Sequence, residues 1–224
     1  MCPIFAGSEV DSVTAVSSEF FNVSKWATEN GFTSNIMKTK AINTVKKGNN
    51  FDCKLPFDVV EEIKILGVFW RNDLKWLRHF KDVELRCSRR LYVLRVLRNT
   101  LQHCELWTVF TAVIECLLLY ASPLFGILSA DCYTIVKKLF RRAKKIICYA
   151  TCNCENTFDN FLMRRKRLFV QFYQNCHCID HPLYDVIPQM KNGRVIVPMC
   201  QTKRRQNCFV VLATRLVNHF VDLI

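Results

Sequence analysis

The chain contains no Gly-x-Gly and no Gly-Lys-Ser/Thr in its 224 residues, which removes the phosphate-cradling loops of the common nucleotide-binding folds. Near Met1 there is no charged segment running into an apolar stretch and small residues, so no secretory leader is offered. Acids are scarce: 19 Asp and Glu stand against 32 Lys and Arg, for a formal charge of +13. Such a field favours a polyanion as partner, nucleic acid ahead of an acidic membrane surface. The imbalance is also local, because residues 1–30 hold four acids and one lysine, whereas residues 137–145 hold six bases and no acid. Half of the residues are hydrophobic, enough for a core, and disorder throughout is excluded.

What is abundant is cysteine. Thirteen in a chain of this size could signal a disulfide framework, but the count is odd and a leader is missing. Most of them, such as Cys87 and Cys116, sit in apolar helical patterns where a free thiol behaves as a small hydrophobe. The expectation is a reducing, intracellular compartment, nucleus or cytoplasm. Cys148, Cys152 and Cys154, with Cys176, His177, Cys178 and His181, form two groups of potential zinc ligands. Neither group contains a C-x2-C pair, which weighs against zinc. A serine or cysteine nucleophile beside His79, His103 or His177 has no local signature to select it.

The stretch from Asp58 to Thr100 organises the remainder. It opens with an apolar alternation, breaks at Gly67 and at Arg71-Asn72-Asp73, and then runs on without glycine or proline. That pattern predicts strand, turn and a long helix from about Asp73. Trp76, Phe80, Val83, Cys87, Leu91, Leu94 and Arg98 recur three or four apart as one seam. Nine bases against three acids between Arg71 and Arg98 occupy the other faces with His79, and among them Arg86, Arg89 and Arg90 are candidate phosphate contacts.

Before this stretch, Ser8 to Asp11 has the form of a capping box. Val13, Val16, Phe20, Val23 and Ala27 then predict a helix that Asn30-Gly31 stops. A strand carrying Lys38 and Lys40 on one face, a second near Phe51 to Leu55 and a third from Ile63 to Trp70 are expected to form an antiparallel sheet. After it, residues 106–128 are 23 residues with one charge. Glu115 at their middle and Pro123 argue for a buried helix rather than a membrane span.

Tyr133, Val136, Phe140, Ala143, Ile147 and Ala150 form the next seam. Lys137, Lys138, Arg141, Arg142, Lys144 and Lys145 point elsewhere, as a row suited to duplex phosphates. A further helix from Phe158 to about Cys176 is expected to turn Phe161, Leu162, Phe169, Phe172 and Tyr173 inward and residues 164–167 outward, with Arg164 and Arg165 available to nucleic acid. Aromatics beside that basic run can stack on bases, although core packing is the commoner use. A short strand at residues 195–197 and a last helix from about Asn207 to Val221, presenting Phe209, Leu212, Leu216 and Phe220, complete the chain. The fold class expected is α+β, mainly α: a small antiparallel sheet with its helix (residues 1–71), a helical domain (72–150) and a helical extension (151–224).

Several strings together resemble the palm and thumb boundary of the reverse transcriptases of non-LTR (LINE-like) retrotransposons. These are Leu66-Gly67-Val68, then residues 73–79 reading D-L-K-W-L-R-H, and residues 90–95 reading R-L-Y-V-L-R. Trp26-Ala27-Thr28-Glu29-Asn30-Gly31, Lys38-Thr39-Lys40, His181-Pro182-Leu183 and residues 200–204 reading C-Q-T-K-R follow the family's order over nearly the whole chain. The resemblance implies an RNA-directed DNA polymerase whose thumb binds an RNA–DNA or DNA duplex; with no base-reading element apparent on the basic row, readout by shape and charge is expected. It implies that Lys38 or Lys40 can protonate the departing pyrophosphate, and that Leu66, Gly67 and Val68 grip the primer end. The family holds two Mg ions with an early aspartate and an Asp-Asp hairpin, and this chain has no Asp-Asp. The expectation is therefore a fragment cut downstream of that hairpin, missing an N-terminal polymerase segment, binding no cofactor of its own and unable to polymerise alone. A stand-alone basic helical binding module and a relic reading frame are the rival readings.

Overall fold

The computed structural model describes residues 9–44, 57–148, 157–185, 187–188, 190–191, 194–202, 206 and 208–221. It is α+β and mainly helical, and it divides into two compact units, Met1–Trp76 and Leu77–Ile224.

In the first unit α1 spans Glu9–Glu29. Its end is set by Gly31, whose φ of 76° is a left-handed value that glycine adopts without penalty. The Phe32 N–H then donates to the Ala27 carbonyl at 2.8 Å and the Gly31 N–H to that of Thr28 at 3.1 Å, the paired bonds of a Schellman stop. The expected capping box at Ser8 lies outside the described residues.

The chain that follows departs from the expected strand. The Asn35 side chain accepts from the Lys38 N–H at 3.2 Å and caps a 3-10 turn, Ile36–Lys38. Such local side-chain bonds compete with sheet pairing. Lys38 therefore ends a turn while Lys40 opens a strand, β1 (Lys40–Ala41), and the two lysines do not share a strand face. β1 pairs in parallel with β2 (Asp58–Val59). The strand expected near Phe51 lies outside the described residues.

Ile63 to Trp70 is a hairpin rather than one strand. β3 (Glu62–Ile65) and β4 (Val68–Arg71) run antiparallel with Ile63 opposite Trp70 and Ile65 opposite Val68. Leu66 and Gly67 turn the chain at φ 48° and 83°, as a two-residue type I′ loop requires. Among the described residues of this unit, β3 and β4 form the small antiparallel pair, while β1 and β2 pair separately and in parallel. At the end of the unit, the Asp73 carboxylate accepts from the Lys75 N–H at 3.0 Å and Leu74 is at φ 49°. This turn delays the helix expected from Asp73 to Leu77.

The second unit begins with α2 (Leu77–Leu97), whose buried residues are His79, Phe80, Val83, Cys87, Leu91 and Leu94. The seam is as expected, but His79 belongs inside: its ring lies 4.9 Å from that of Phe125. The apolar stretch forms α3 (His103–Phe110), a π-helical turn (Thr111–Glu115) and α4 (Cys116–Leu119). A 3-10 turn at Ser122–Phe125 follows, where Pro123 cannot extend a helix. Among the described residues no helix is long and apolar enough to cross a membrane.

α5 (Ala130–Ile147) is capped by Ser129 and packs along α2. α6 (Thr157–Asn175) packs back on α5, with Phe140 at 5.3 Å from Phe158 and 5.1 Å from Phe161. Residues on both sides of position 150 thus share one unit.

The C-terminal region builds a satellite core of Tyr173, Cys176, Ile187, Val195, Ala213 and Val217. A two-residue ribbon, β5 (Met190–Lys191) and β6 (Arg194–Val195), is clasped by Asn218, which accepts from the Val195 N–H at 3.0 Å and donates to its carbonyl at 2.8 Å. α7 (Phe209–Val221) buries Val211, Ala213, Thr214 and Val217; of the expected face, Phe209 packs on the satellite core, while Leu212 and Leu216 are half-buried. The Thr214 hydroxyl sits 3.3 Å from that of Tyr173, which donates to the Pro188 carbonyl. A buried phenol needs these partners, and they bring the threonine face inward. The Phe220 side chain lies outside the described residues.

Candidate nucleic-acid interface

Two ties fix how the basic helices run. Lys138 Nζ lies 3.6 Å from a Glu84 carboxylate oxygen, and Arg142 donates to the Ser88 hydroxyl at 2.8 Å. Positions 84 and 138, then 88 and 142, advance together, so α2 and α5 lie side by side and parallel. His103, the first residue of α3, has its Nδ1 2.7 Å from the Ile147 carbonyl at the end of α5.

α5 buries Cys132, Val136, Leu139, Phe140, Ala143, Ile146 and Ile147. Its outer surface carries Lys137, Lys138, Arg141, Lys144 and Lys145, all exposed, while Arg142 is half-buried. Lys138 and Arg142 are engaged with α2, and Lys137 lies over the Tyr133 ring at 5.9 Å. Arg141, Lys144 and Lys145 extend the row toward the helix C-terminus, where positive charge is also favoured by the helix dipole.

On α2 the stripe opposite the seam reads Arg78, Lys81, Leu85, Arg89, Tyr92 and Val96, all exposed. Arg89 joins the basic face. Arg86 and Arg90 do not: Arg86 pairs with Asp82 at 2.8 Å one turn back, and Arg90 donates to the Val113 carbonyl in the π-turn. A π-turn displaces carbonyls from the regular ladder, and an arginine on the neighbouring helix supplies a donor.

Of Arg164 and Arg165, expected to face outward on α6, Arg164 is exposed and Arg165 half-buried, and both are tied to groups inside the unit. Arg164 reaches Glu115 at 2.8 Å. Glu115 is only 3% exposed, and the Thr111 hydroxyl donates to its other oxygen at 3.3 Å. Burial raises the Glu115 pKa, while the Arg164 charge and the Thr111 hydroxyl oppose that rise. Arg165 donates to the Ser122 hydroxyl at 3.0 Å and to the Gly126 carbonyl, with its guanidinium 5.0 Å from the Phe169 ring. Burial lowers its pKa to about 10. The helix broken at Pro123 leaves polar groups inside the unit, and these arginines satisfy them. The α6 aromatics Phe161, Phe169 and Tyr173 are core, so none of the three offers a face to a base.

Lys38 and Lys40 are both exposed, as is Leu66, while Gly67 is half-buried and Val68 is buried. They lie in the first unit, with Leu66 and Gly67 in the hairpin turn and Val68 opening β4. The cysteines divide. Cys87 is buried and its pKa is raised to about 11 by desolvation, as an inert core thiol requires. Cys116 is exposed rather than in the core, and Cys148 is disulfide-bonded, which takes it out of a thiolate ligand set.

Cys176 Sγ is 3.9 Å from His181 Nε2, while Cys152 and Cys154 lie outside the described residues. Among the described residues no group of three His, Cys, Asp or Glu side chains is placed to hold a metal ion. Two cavities, of about 370 and 80 Å3, share Trp107 and Thr111; the smaller is bounded by Glu115 and Arg164, which already satisfy one another.

Sequence reasoning gave Tyr92 no role, yet it is 67% exposed beside the basic face. Leu85, Arg89, Tyr92 and Val96 recur at intervals of four, three and four. That spacing, in antiphase to the buried seam, was the available signal.

No protein-family model, no curated protein and no solved structure matches this chain.

Proposed function

We propose that the chain binds the phosphate backbone of an RNA–DNA or DNA duplex, in the manner of the thumb of a non-LTR reverse transcriptase, without itself carrying the metal-binding carboxylates of polymerisation. The observation that carries this reading is the outer face of α5, where Lys137, Arg141, Lys144 and Lys145 stand exposed on a helix that bonds Arg142 to α2. Side chains on one rigid helix meet successive phosphates without ordering a loop, and nothing on that row is shaped to read base edges. The ordered strings from Trp26 to Arg204 support the resemblance to the polymerase family, and the fold class is of the kind that resemblance implies.

Binding then depends on charge and is indifferent to sequence. Replacing Lys137, Arg141, Lys144 and Lys145 together by alanine removes four cations from the row without touching the Arg142 or Lys138 ties. The slope of log affinity against log salt should become shallower by about 3 to 4 for a duplex, since each neutralised phosphate contributes roughly 0.9. Fluorescence anisotropy on an RNA–DNA hybrid at several salt concentrations reads this directly. An unchanged slope in the folded variant removes this face as the binding surface.

A further inference from the structure

The outer faces of α5 and α2 differ in kind. From Lys137 to Lys145 the exposed side chains of α5 are cationic. α2 interleaves its bases with large apolar groups: Leu85 is 55% exposed, Tyr92 67%, Val93 50% and Val96 55%. Paired strands show phosphates and sugars to a helix lying along their backbone, but their base faces are stacked inside. A duplex seated on cations therefore makes no use of an aromatic ring among them, whereas an unpaired strand does, because each base has a free π-face.

From these observations we infer that the α2 stripe around Tyr92 takes a single-stranded nucleic acid, with a base stacked on the Tyr92 ring and its flanking phosphates held by Arg89 of α2 and Lys145 of α5.

The placement follows from the helix register. Carrying the pairs 84 with 138 and 88 with 142 forward by one turn brings Tyr92 level with residues 145–146, so the exposed Lys145 is the nearest base of α5 on the outer side. Arg89 lies one turn before Tyr92 on the same stripe, and Arg95, also exposed, lies nearly one turn beyond it. Phosphate contacts on both sides of an aromatic platform are the recurring arrangement for sequence-tolerant binding of single strands. Leu85 and Val96 extend the apolar ground on which further bases can lie. The inference rests on the backbone-binding reading above and assigns that surface a second nucleic-acid form.

The test compares a fluorescein-labelled single-stranded RNA of about 12 nucleotides with a duplex of the same length, a span within the site sizes of such surfaces. The full chain is used as wild type, Tyr92→Ala, Tyr92→Phe and the α5 quadruple-alanine variant. Since Tyr92 is exposed, its replacement leaves the core intact, and circular dichroism checks this. Tyr92→Ala should lower single-strand affinity about tenfold and leave duplex affinity within about twofold, while Tyr92→Phe, which keeps the ring, should bind as wild type. If Tyr92→Ala changes neither affinity, or lowers both equally, the stacking inference is overturned, and the stripe then suits an acidic protein partner better. A wild-type chain that binds the duplex but not the single strand also overturns it and leaves the backbone-binding reading standing. A chain that binds neither overturns both.

Discussion

The two units differ most in how much of their apolar surface is covered. Among the described side chains of the first unit only Ala27 and Val68 are buried, while Phe21, Trp26, Phe32, Ile36 and Met37 are half or more exposed. The second unit packs a continuous core from Phe80 to Ile147 and a satellite core around Tyr173. Burying one aliphatic or aromatic side chain contributes about 1.5–3 kcal/mol, against a whole-domain stability of about 5–15 kcal/mol. Helical propensity alone does not hold an isolated helix. Among its described side chains α1 buries only Ala27, whereas α2 and α5 are held by one another.

The largest expected consequence is in hydrogen exchange. Amides of residues 77–147 should open only with the whole second unit, whereas those of residues 9–44 should exchange through local opening. A difference in protection on the order of a thousandfold or more follows from openings that range from near zero to the global stability. Mass spectrometry of the intact chain reads it. Equal strong protection in both regions would break the comparison and show that α1 is stabilised as fully as α2.

Inside the second unit, the Glu115 and Arg164 pair sharpens the contrast between buried charge and buried hydrocarbon. The folded-state pKa of Glu115 is raised from 4.5, first by burial. Sign follows from linkage: an acid with a raised folded pKa favours the folded state fully below its unfolded pKa, and that contribution is lost as pH rises through the folded value. Arg164→Met removes the charge that opposes the rise. Because Arg164 is itself 46% exposed, the cost is below that of breaking a fully buried pair, on the order of 1–3 kcal/mol at neutral pH. The loss should shrink as pH falls toward 5. Glu115→Gln, which keeps the shape, should flatten the pH dependence of both backgrounds. Urea denaturation across pH is the measurement, and an Arg164→Met penalty that does not vary with pH would show that the arginine acts through packing alone.

How far the sequence foretold these features depended on whether the deciding partner was near in the chain. The α2 seam was legible because Phe80, Val83, Cys87, Leu91 and Leu94 keep one period over an uninterrupted helix. The Asn30-Gly31 stop was legible because the motif is local. The hairpin was not: the apolar run from Ile63 to Trp70 is interrupted only by Lys64 and Gly67, and Leu66-Gly67 is not the Asn-Gly pair that marks a type I′ turn. Arg164 and Arg165 read as a solvated basic run because their partners, Glu115, Ser122 and Gly126, lie about 40 to 50 residues earlier. Only the fold brings those groups together. α7 misled for a related reason. Phe209 packs on the satellite core as expected, but Leu212 and Leu216 stay half-buried, because the Tyr173 hydroxyl and the Val195 backbone take Thr214 and Asn218 as partners.

The smallest effect concerns the hairpin turn of the first unit, where the residue type and the backbone disagree. Leu66 occupies the first loop position at φ 48° and Gly67 the second at φ 83°. Type I′ turns favour Asn-Gly, because asparagine tolerates the left-handed region that crowds the Cβ and side chain of leucine. The Leu66 side chain is 84% exposed, so little packing offsets that conformational cost. In the proposed reading, which rests on the polymerase resemblance, Leu66 would be one of the residues at the primer end. Leu66→Asn should therefore stabilise the hairpin by about 0.5 kcal/mol, a fraction of the left-handed penalty, read as slower exchange of the β3 and β4 amides with no change in residues 77–147. If Leu66 serves binding, the same variant should weaken primer-template affinity while stabilising the turn. A variant that stabilises the turn and leaves affinity untouched would reduce Leu66 to an unoptimised loop residue.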